Sequence, residues 1–466
     1  MGLADKIYPR LPIWAQNLAI HLEGLRIARL RRRASDPAYL AELRSRESMG
    51  RAELEDFRRL RLARHLASAA TAPFWAGRFA RHDVNPSSED AFAELAKLPL
   101  LTKDEVKEAG IAVHANPAGL GPLRQGSTSG TTGGGLRLVE TADAEKERWG
   151  VWWRYRGRLG ITPFVRCGLF GAKPVVPVSQ SSPPYWRRNT PGRQLIFSSF
   201  HLSERTYADY VEAIDDAALE WLHGFPTTLA LLADLMLARG RRLRRPVRWV
   251  TTGAENLQDA HRDKIRRAFG VEPRQHYGLA ESVANISECD HGRLHVDEDF
   301  AGVELLPLPD LPTFHRIVGT NWSNPAMPLL RYDTGDLATI DQEACPCGLP
   351  WRTVRSIDGR LDDMVTLPSG ARVGRLAMIF KDFPEIKEAQ ILQSRPGCLI
   401  LRVVPGAGFD RGVTAARLIA TAAERLGAEA RIEIEYLNHI PRTPGGKIRM
   451  VVVSGADSLS DTQSSL

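Results

Sequence analysis

The chain has 466 residues, 43% of them hydrophobic and 25% charged, which is ordinary globular composition and long enough for two or more domains. No apolar run approaches a membrane span, and five cysteines (167, 289, 345, 347 and 398) in such a length do not suggest a disulfide framework. The net charge of +7 is concentrated at residues 26–33 (RIARLRRR) and 58–65 (RRLRLARH), yet no aromatics interleave with the basic residues and no zinc-finger or RNP pattern occurs, so a nucleic-acid partner is not expected. The opening MGLADKIYPR lacks an apolar signal core, and Lys6 stands where a myristoylation site needs Ser or Thr. The expected location is the cytoplasm.

Residues 1–110 read as a mostly helical lead-in. At 98–106 (LPLLTKDEV) a turn precedes a helix, with Thr102 as N-cap and Glu105 at the third helical position, the pattern of a capping box. Residues 126–135 (GSTSGTTGGG) contain no apolar side chain. Glycines let several backbone N–H groups approach one guest, and Ser and Thr hydroxyls add donors. The loop therefore suits a polyphosphate, the competing reading being a flexible linker. It is neither a Walker loop nor a dinucleotide turn. A strand is expected next at 136–140 (LRLVE), then a helix over 142–160 carrying Trp149, Trp152, Trp153 and Tyr155. Core packing accounts for at least half of these aromatics.

From residue 163 short apolar runs (CGLFG, LIFSSF) alternate with helical patterns (203–216, 226–240). The segment 247–255 (VRWVTTGAE) reads as a strand ending in a Gly turn. A helix closed by Gly270 follows, then another strand and turn at 273–281 (PRQHYGLAE). Such alternation predicts an α/β fold with parallel sheet, whose ligands lie beyond the carboxyl ends of the strands. Beyond 359–365 (GRLDDMV) the pattern turns β-rich with two helices. A small separate domain is expected at 359–455, after a large domain at 1–358, with a polar, disordered tail at 456–466.

Four residues form a metal-type constellation: Cys289, His295, Cys345 and Cys347. Three sulfurs and one nitrogen suit a closed tetrahedral zinc site, although the Cys-x-Cys spacing is short for zinc. His291 is a competing nitrogen ligand. The alternative is a set of reduced buried thiols and a surface His, and Cys167 and Cys398 read as core thiols.

Six motifs occur in one order: STSGTTGGG, TTGAEN, HYGLAES, RYDTGD, DGRLDDMV and PRTPGGKIR. In this the chain resembles the adenylate-forming superfamily of acyl-CoA synthetases, over about residues 50–455. Within it, ECDHGRLHVDEDF, CPCG and LPSGARVGRLAMIFKDFPEI resemble the phenylacetate–CoA ligase branch and its CapK-type relatives. The resemblance implies a large α/β adenylation domain with mixed or parallel sheets and a small α+β domain on a hinge. It implies a carboxylic acid attacking the α-phosphate of MgATP to give an acyl-adenylate. Coenzyme A, or alternatively an amine, hydroxyl or carrier protein, then takes the acyl group.

The resemblance also assigns residues. Ser127, Thr128, Ser129, Gly130, Thr131, Thr132 and Gly133 would cradle the phosphates. Here the chain departs from the commoner pattern, with Gly135 and Leu136 in place of Pro and a Lys or Thr, and Arg137 next. Gly253, Ala254 and Glu255 would line the adenine, Tyr277 would stack on it, and Gly278 would let the backbone approach. Glu281 would hold Mg²⁺, Asp336 would accept the ribose hydroxyls, and Arg360 would reach the ribose or phosphate. Asp362 would be the hinge and Lys447 the mobile catalytic cation. The resemblance implies structural zinc at the Cys and His positions above and makes a homodimer an open question. The acid is not named by these motifs. An aromatic acid is mildly favoured, with Trp149, Trp152 and Phe170–Gly171 as the expected pocket. A non-catalytic nucleotide-binding scaffold is the remaining alternative.

Overall fold

A computed structural model describes residues 7–116, 119–127, 136–171, 175–177, 179–309, 311–360, 364–368, 372–373, 376–380, 383, 385–406, 408–427, 430–442 and 448–453. The lead-in is helical as expected, with six α-helices between Ile13 and Ala109 among these residues. The capping box forms: Thr102 Oγ1 accepts from the Glu105 N–H at 3.2 Å, and Glu105 Oε2 accepts from the Thr102 N–H at 2.7 Å. No helix among the described residues is long and apolar enough to cross a membrane.

Twelve strands join in one mixed sheet. Its parallel half runs from Gln194–Ser198 through Cys167–Gly171, Trp221–Gly224 and Trp249–Gly253 to Arg274–Gly278. One face of this half (Phe170, Phe197, Leu222, Val250) packs under the helices Tyr207–Asp216, Pro226–Ala238 and Asp259–Phe269. The last of these stops at Gly270, whose φ of +73° is the left-handed cap a glycine allows. The helix Ala142–Arg158 covers the opposite face.

The other half was not legible as strands. Asn285–Glu288, Leu294–Val296, Thr353–Arg360, Tyr332–Ile340, Leu311–Thr320 and Gly302–Leu308 extend the sheet with antiparallel pairing. The reason is chemical. Asn285–Glu288 is buried at all four positions although three of them are polar, so no alternation of apolar and polar residues marks it. The polar groups are tolerated because they are paired.

That pairing is most developed at Asp297, Glu298 and Asp299, all fully buried. Arg154, also fully buried, donates to both oxygens of Asp299, at 2.8 and 2.9 Å, and to Asp297 at 2.9 Å. Glu298 accepts from Arg352 at 2.7 Å and from Arg51 at 2.9 Å. Glu147 pairs with Arg46 and Arg61. These contacts tie the turn Arg46–Ser48 and the helix Arg51–Ala69 to the rest of the large domain through charge, beside the apolar packing of Leu62 and Leu66 in the core that holds Tyr332.

Residues from Val365 onward build a second core (Ile391, Leu399, Leu401, Leu418, Val451) around a four-stranded sheet, with the helix Val413–Leu426 packed on it. A cavity of about 450 Å³ lies between it and the large sheet's helices, lined among others by Thr227, Lys264, Phe380, Lys387 and Ile448. Lys264 Nζ reaches across to the Ile386 carbonyl at 3.4 Å, and Lys387 pairs with Glu204.

Candidate functional site

Three parallel strands end in glycine on the face covered by Ala142–Arg158: Gly171, Gly253 and Gly278. At Gly278 a Cβ would lie 2.8 Å from the His276 ring and 3.1 Å from Asn285 Oδ1, so any side chain there would push the His276–Asn285 pair aside. Ala254, directly after Gly253, has a φ of +65°, a left-handed conformation that costs a non-glycine residue roughly 1 kcal/mol or more. Such local strain is commonest at functional turns. Glu255 Oε2 accepts from Thr227 Oγ1 at 2.7 Å, which fixes this turn to the start of the helix Pro226–Ala238.

The motif residues meet at this edge. Tyr277 donates its hydroxyl proton to Asp336 Oδ2 at 2.8 Å. Burial, reinforced by the Asp336 carboxylate, raises the Tyr277 pKa well above its usual value, so this contact keeps the phenol protonated. Asp336 lies opposite Arg360 in antiparallel register, so two residues far apart in sequence become neighbours on adjoining strands. Glu281 follows Tyr277 on the same turn, and its carbonyl accepts from Asn321. Ser127 and Arg137 pair at the two ends of a hairpin, Leu123–Ser127 with Arg137–Thr141, which brackets the Gly-rich loop. Ser127 is exposed. Thr128, Ser129, Gly130, Thr131, Thr132 and Gly133 lie outside the described residues, as do Asp362 and Lys447. The loop that carries Lys447 is closed by an antiparallel bridge between Arg442 and Ile448.

The expected acyl pocket needs correction. Phe170 stacks on Phe197 at 4.5 Å on the far face of the sheet and belongs to the core there, because its neighbour Gly171, not Phe170, points toward Ala142–Arg158. Trp149 stands beneath the Arg31 guanidinium, 3.5 Å from its ring centroid. Trp152 does reach the candidate site: its Nε1 donates to Asn285 Oδ1 at 3.0 Å, and its ring meets His276 edge-on. His276 and Asn285, bonded to each other at 2.7 Å, were missed, although His276 sits inside the HYGLAES motif. A motif marks where the backbone turns; which neighbouring side chain faces the site depends on strand register.

Cys289, His295, Cys345 and Cys347 come together. Their ligand atoms all lie within 4.8 Å of one another, with Cys289 Sγ 3.6 Å from Cys345 Sγ and Cys347 Sγ 3.3 Å from His295 Nε2. A disulfide would hold its sulfurs at about 2 Å, and these cysteines are free. A tetrahedral zinc with bonds of about 2.0–2.3 Å would space its ligands about as observed, so the donor set fits that ion. His291 is not among these donors; it is half exposed beside Asp290.

A model of the CapK C-terminal domain matches residues 366–454. Protein CapK of Staphylococcus aureus is 24% identical over 466 residues, spanning 97% of this chain and 99% of that one. The phenylacetate-coenzyme A ligase of Thermus thermophilus is 29% identical over 238 residues, 44% of this chain and 53% of its own. Among solved structures, a 2-hydroxyisobutyryl-CoA ligase in the postadenylation state superposes with a TM-score of 0.68 at 19% identity, covering 88% of this chain and 91% of that chain. The same ligase in its thioesterification state gives 0.53 at 20% identity, with the same coverage. At such identity the superposition speaks for the fold. With six ordered motifs, a match of residues 366–454 to the CapK C-terminal domain and an end-to-end match to CapK, the chain is similar to the AMP-forming adenylate-forming ligases of the CapK and phenylacetate–CoA ligase branch.

Proposed function

We propose that the protein activates a carboxylic acid with ATP to an acyl-adenylate and passes the acyl group to a thiol, with coenzyme A as the acceptor. The observation that carries this is the meeting of Tyr277, Asp336 and the Arg360 backbone beside the Gly253–Glu255 turn. In this reading Tyr277 packs against the base, held by its bond to Asp336. The Asp336 carboxylate has acceptor capacity for two ribose hydroxyls. The Gly-rich loop between Ser127 and Arg137 cradles the phosphates, and Arg137, exposed at its mouth, supplies a cation there. Glu281 offers the hard oxygen ligand that Mg²⁺ prefers, and that ion neutralises phosphate charge when bound. Lys447 is the cation that meets the α-phosphate, and Asp362 the hinge between the half-reactions. The large domain is 1–358 and the mobile small domain 359–455. The cavity between them, with few polar contacts bridging it, suits a joint that rearranges.

A second reading keeps the adenylation and passes the acyl group to an amine, hydroxyl or carrier protein. The match to CapK spans 97% of the chain and that to the CoA ligase 44%, which favours keeping it in view. Pyrophosphate exchange with ATP, Mg²⁺ and a broad acid panel tests the first step without any acceptor. Exchange with at least one acid is expected. Adding coenzyme A should then give a thioester; AMP release only with an amine or carrier acceptor would select the second reading. No exchange with any acid, while ATP still binds, would leave the scaffold.

For the cysteine cluster we propose structural zinc. Its ligands converge only in the folded chain, so binding contributes to folding directly. Zinc should copurify at about one per chain, and Cys345→Ser should lower both metal content and thermal midpoint. Metal-free protein from chelator-free preparation, with an unchanged midpoint in Cys345→Ser, would rule the site out.

A further inference from the structure

The helix Ile13–Arg31 turns its bulkiest apolar side chain outward. Trp14 is 71% exposed, Leu22 57% and Leu18 50%, and Ile7 and Ile13 beside them are exposed as well. Positions 14, 18 and 22 are four residues apart, so the three side chains stand in one row along the helix. Scattered apolar residues on a surface are ordinary, whereas a contiguous row of them marks a contact surface. The helix cannot simply roll to bury that row, because its other face is locked by polar contacts. Gln16, buried, accepts from Arg187 Nε at 2.6 Å and donates to the Leu11 carbonyl at 2.9 Å. Asn17 Oδ1 accepts from the Arg188 N–H at 2.9 Å, which docks the helix on Trp186–Asn189, the edge strand of the large sheet. At Gly24 a Cβ would lie 2.0 Å from Asn189 Oδ1, so the helix backbone lies directly against that strand.

The outer face changes character along its length. After Leu22 the exposed positions up to residue 33 are Arg26, Ala28, Arg29, Arg32 and Arg33. Glu23, the one acid between Ile7 and Arg33, is bonded to Arg26 at 2.6 and 2.7 Å. Arg10 is exposed just before the helix, and Arg188 shares a shallow depression with Leu18 and His21 at the side of the row. An apolar row containing a tryptophan is therefore set among arginines. This helix is not long and apolar enough to cross a bilayer. A helix with such a face suits the plane of a membrane surface. Its apolar side chains enter the boundary between headgroups and acyl chains, the indole is favoured at that depth, and the arginines meet anionic headgroups.

We propose that this face docks the protein on an anionic lipid surface, with Trp14, Leu18 and Leu22 inserted and Arg29, Arg32 and Arg188 on the headgroups. Charge favours this partner over a second copy of the chain. Two copies meeting through the same patch would bring their arginines together, whereas an anionic surface neutralises them. A purely ionic partner would leave the three apolar side chains in water. Because the helix is fixed to the edge strand, docking would orient the large domain rather than tether it by a flexible arm.

Flotation of the full chain with vesicles of phosphatidylglycerol and phosphatidylcholine in equal parts, and with phosphatidylcholine alone, tests the proposal. The anionic vesicles should carry the protein upward and the neutral ones should not, and binding should fall as salt screens the arginines. The triple variant Trp14→Ser, Leu18→Ser, Leu22→Ser should bind the anionic vesicles about 10²-fold more weakly. Its thermal midpoint should match wild type, since the three side chains are exposed. The pair Arg29→Glu, Arg32→Glu, which keeps the apolar row, should weaken binding by about 10-fold. Ile111→Ser removes an exposed apolar side chain from the turn Gly110–Val113, which packs with other helices, and should bind as wild type does. No flotation of wild type on anionic vesicles at low salt, equal flotation on neutral ones, or binding unchanged in the triple variant would overturn the proposal. So would a wild-type dimer that the triple variant converts to monomer, because a second copy would then be what covers the row.

Discussion

Asp299→Ala is expected to destabilise the protein by about 3–5 kcal/mol, the loss typical when one partner of a buried ion pair is removed. Asp299 is fully buried, receives two hydrogen bonds from Arg154, and lies 3.6 Å from Arg46. Taking it away leaves Arg154 buried and short of a partner. Domain stabilities are about 5–15 kcal/mol, so much of the margin would go. Urea titration followed by tryptophan fluorescence measures it, since Trp322 donates to the Asp299 carbonyl and Trp351 stacks under Arg154. Arg33→Ala is the control. Its pair with Asp143 is exposed on both sides and should contribute at most about 1 kcal/mol. The pH dependence has a definite sign. Burial alone would raise the Asp299 pKa, but the Arg154 guanidinium outweighs it and holds the carboxyl below the usual range. Stability from this group is therefore full above the unfolded-state pKa of about 4. It is lost as pH falls through the lower folded-state value. An Asp299→Ala variant within 1 kcal/mol of wild type would show that the remaining carboxylates carry the network without it.

Lys447→Ala should slow adenylation by about 10²–10³-fold in single turnover, the usual loss for one preorganised electrostatic contact. Negative charge builds on the α-phosphate as the carboxylate enters, and in the proposed mechanism a positioned ammonium is the protein's answer to it. The loop carrying Lys447 is tied at its base by the Arg442–Ile448 bridge, and Arg442 is itself held by Glu388 at 2.8 Å. In the proposed mechanism the small domain would, by the second half-reaction, have rotated about Asp362 and carried the lysine away. The variant should convert synthetic acyl-adenylate and acceptor at close to the wild-type rate. Equal slowing of both half-reactions would mean that Lys447 serves folding or nucleotide binding instead.

Much of the molecule was legible before any coordinates. The Thr102–Glu105 capping box, the Gly270 stop and the strand–helix alternation from 163 to 281 follow from local rules: a side chain reaching its own backbone, a φ only glycine adopts easily, an apolar period. The order of six motifs identified the superfamily. Among the antiparallel strands from 285 to 360, Asn285–Glu288 escaped because three of its four buried residues are polar and paired, so no apolar alternation marks it.

The sequence by itself determined which residue types stand at the turns and in what order, and hence the family and the chemistry expected of it. Only the tertiary structure decided which of them meet. Asp336 faces Arg360 through strand register, and His295 rather than His291 joins the three cysteines because strand pairing orients it inward. Arg154 and Arg156, two positions apart on one helix, look alike in sequence. One turns onto buried carboxylates, the other onto two indoles. Helix geometry rotates successive side chains by about 100° per residue, so the partners each meets belong to segments far away in the chain. Local sequence carries no information about those partners until the sheet is assembled.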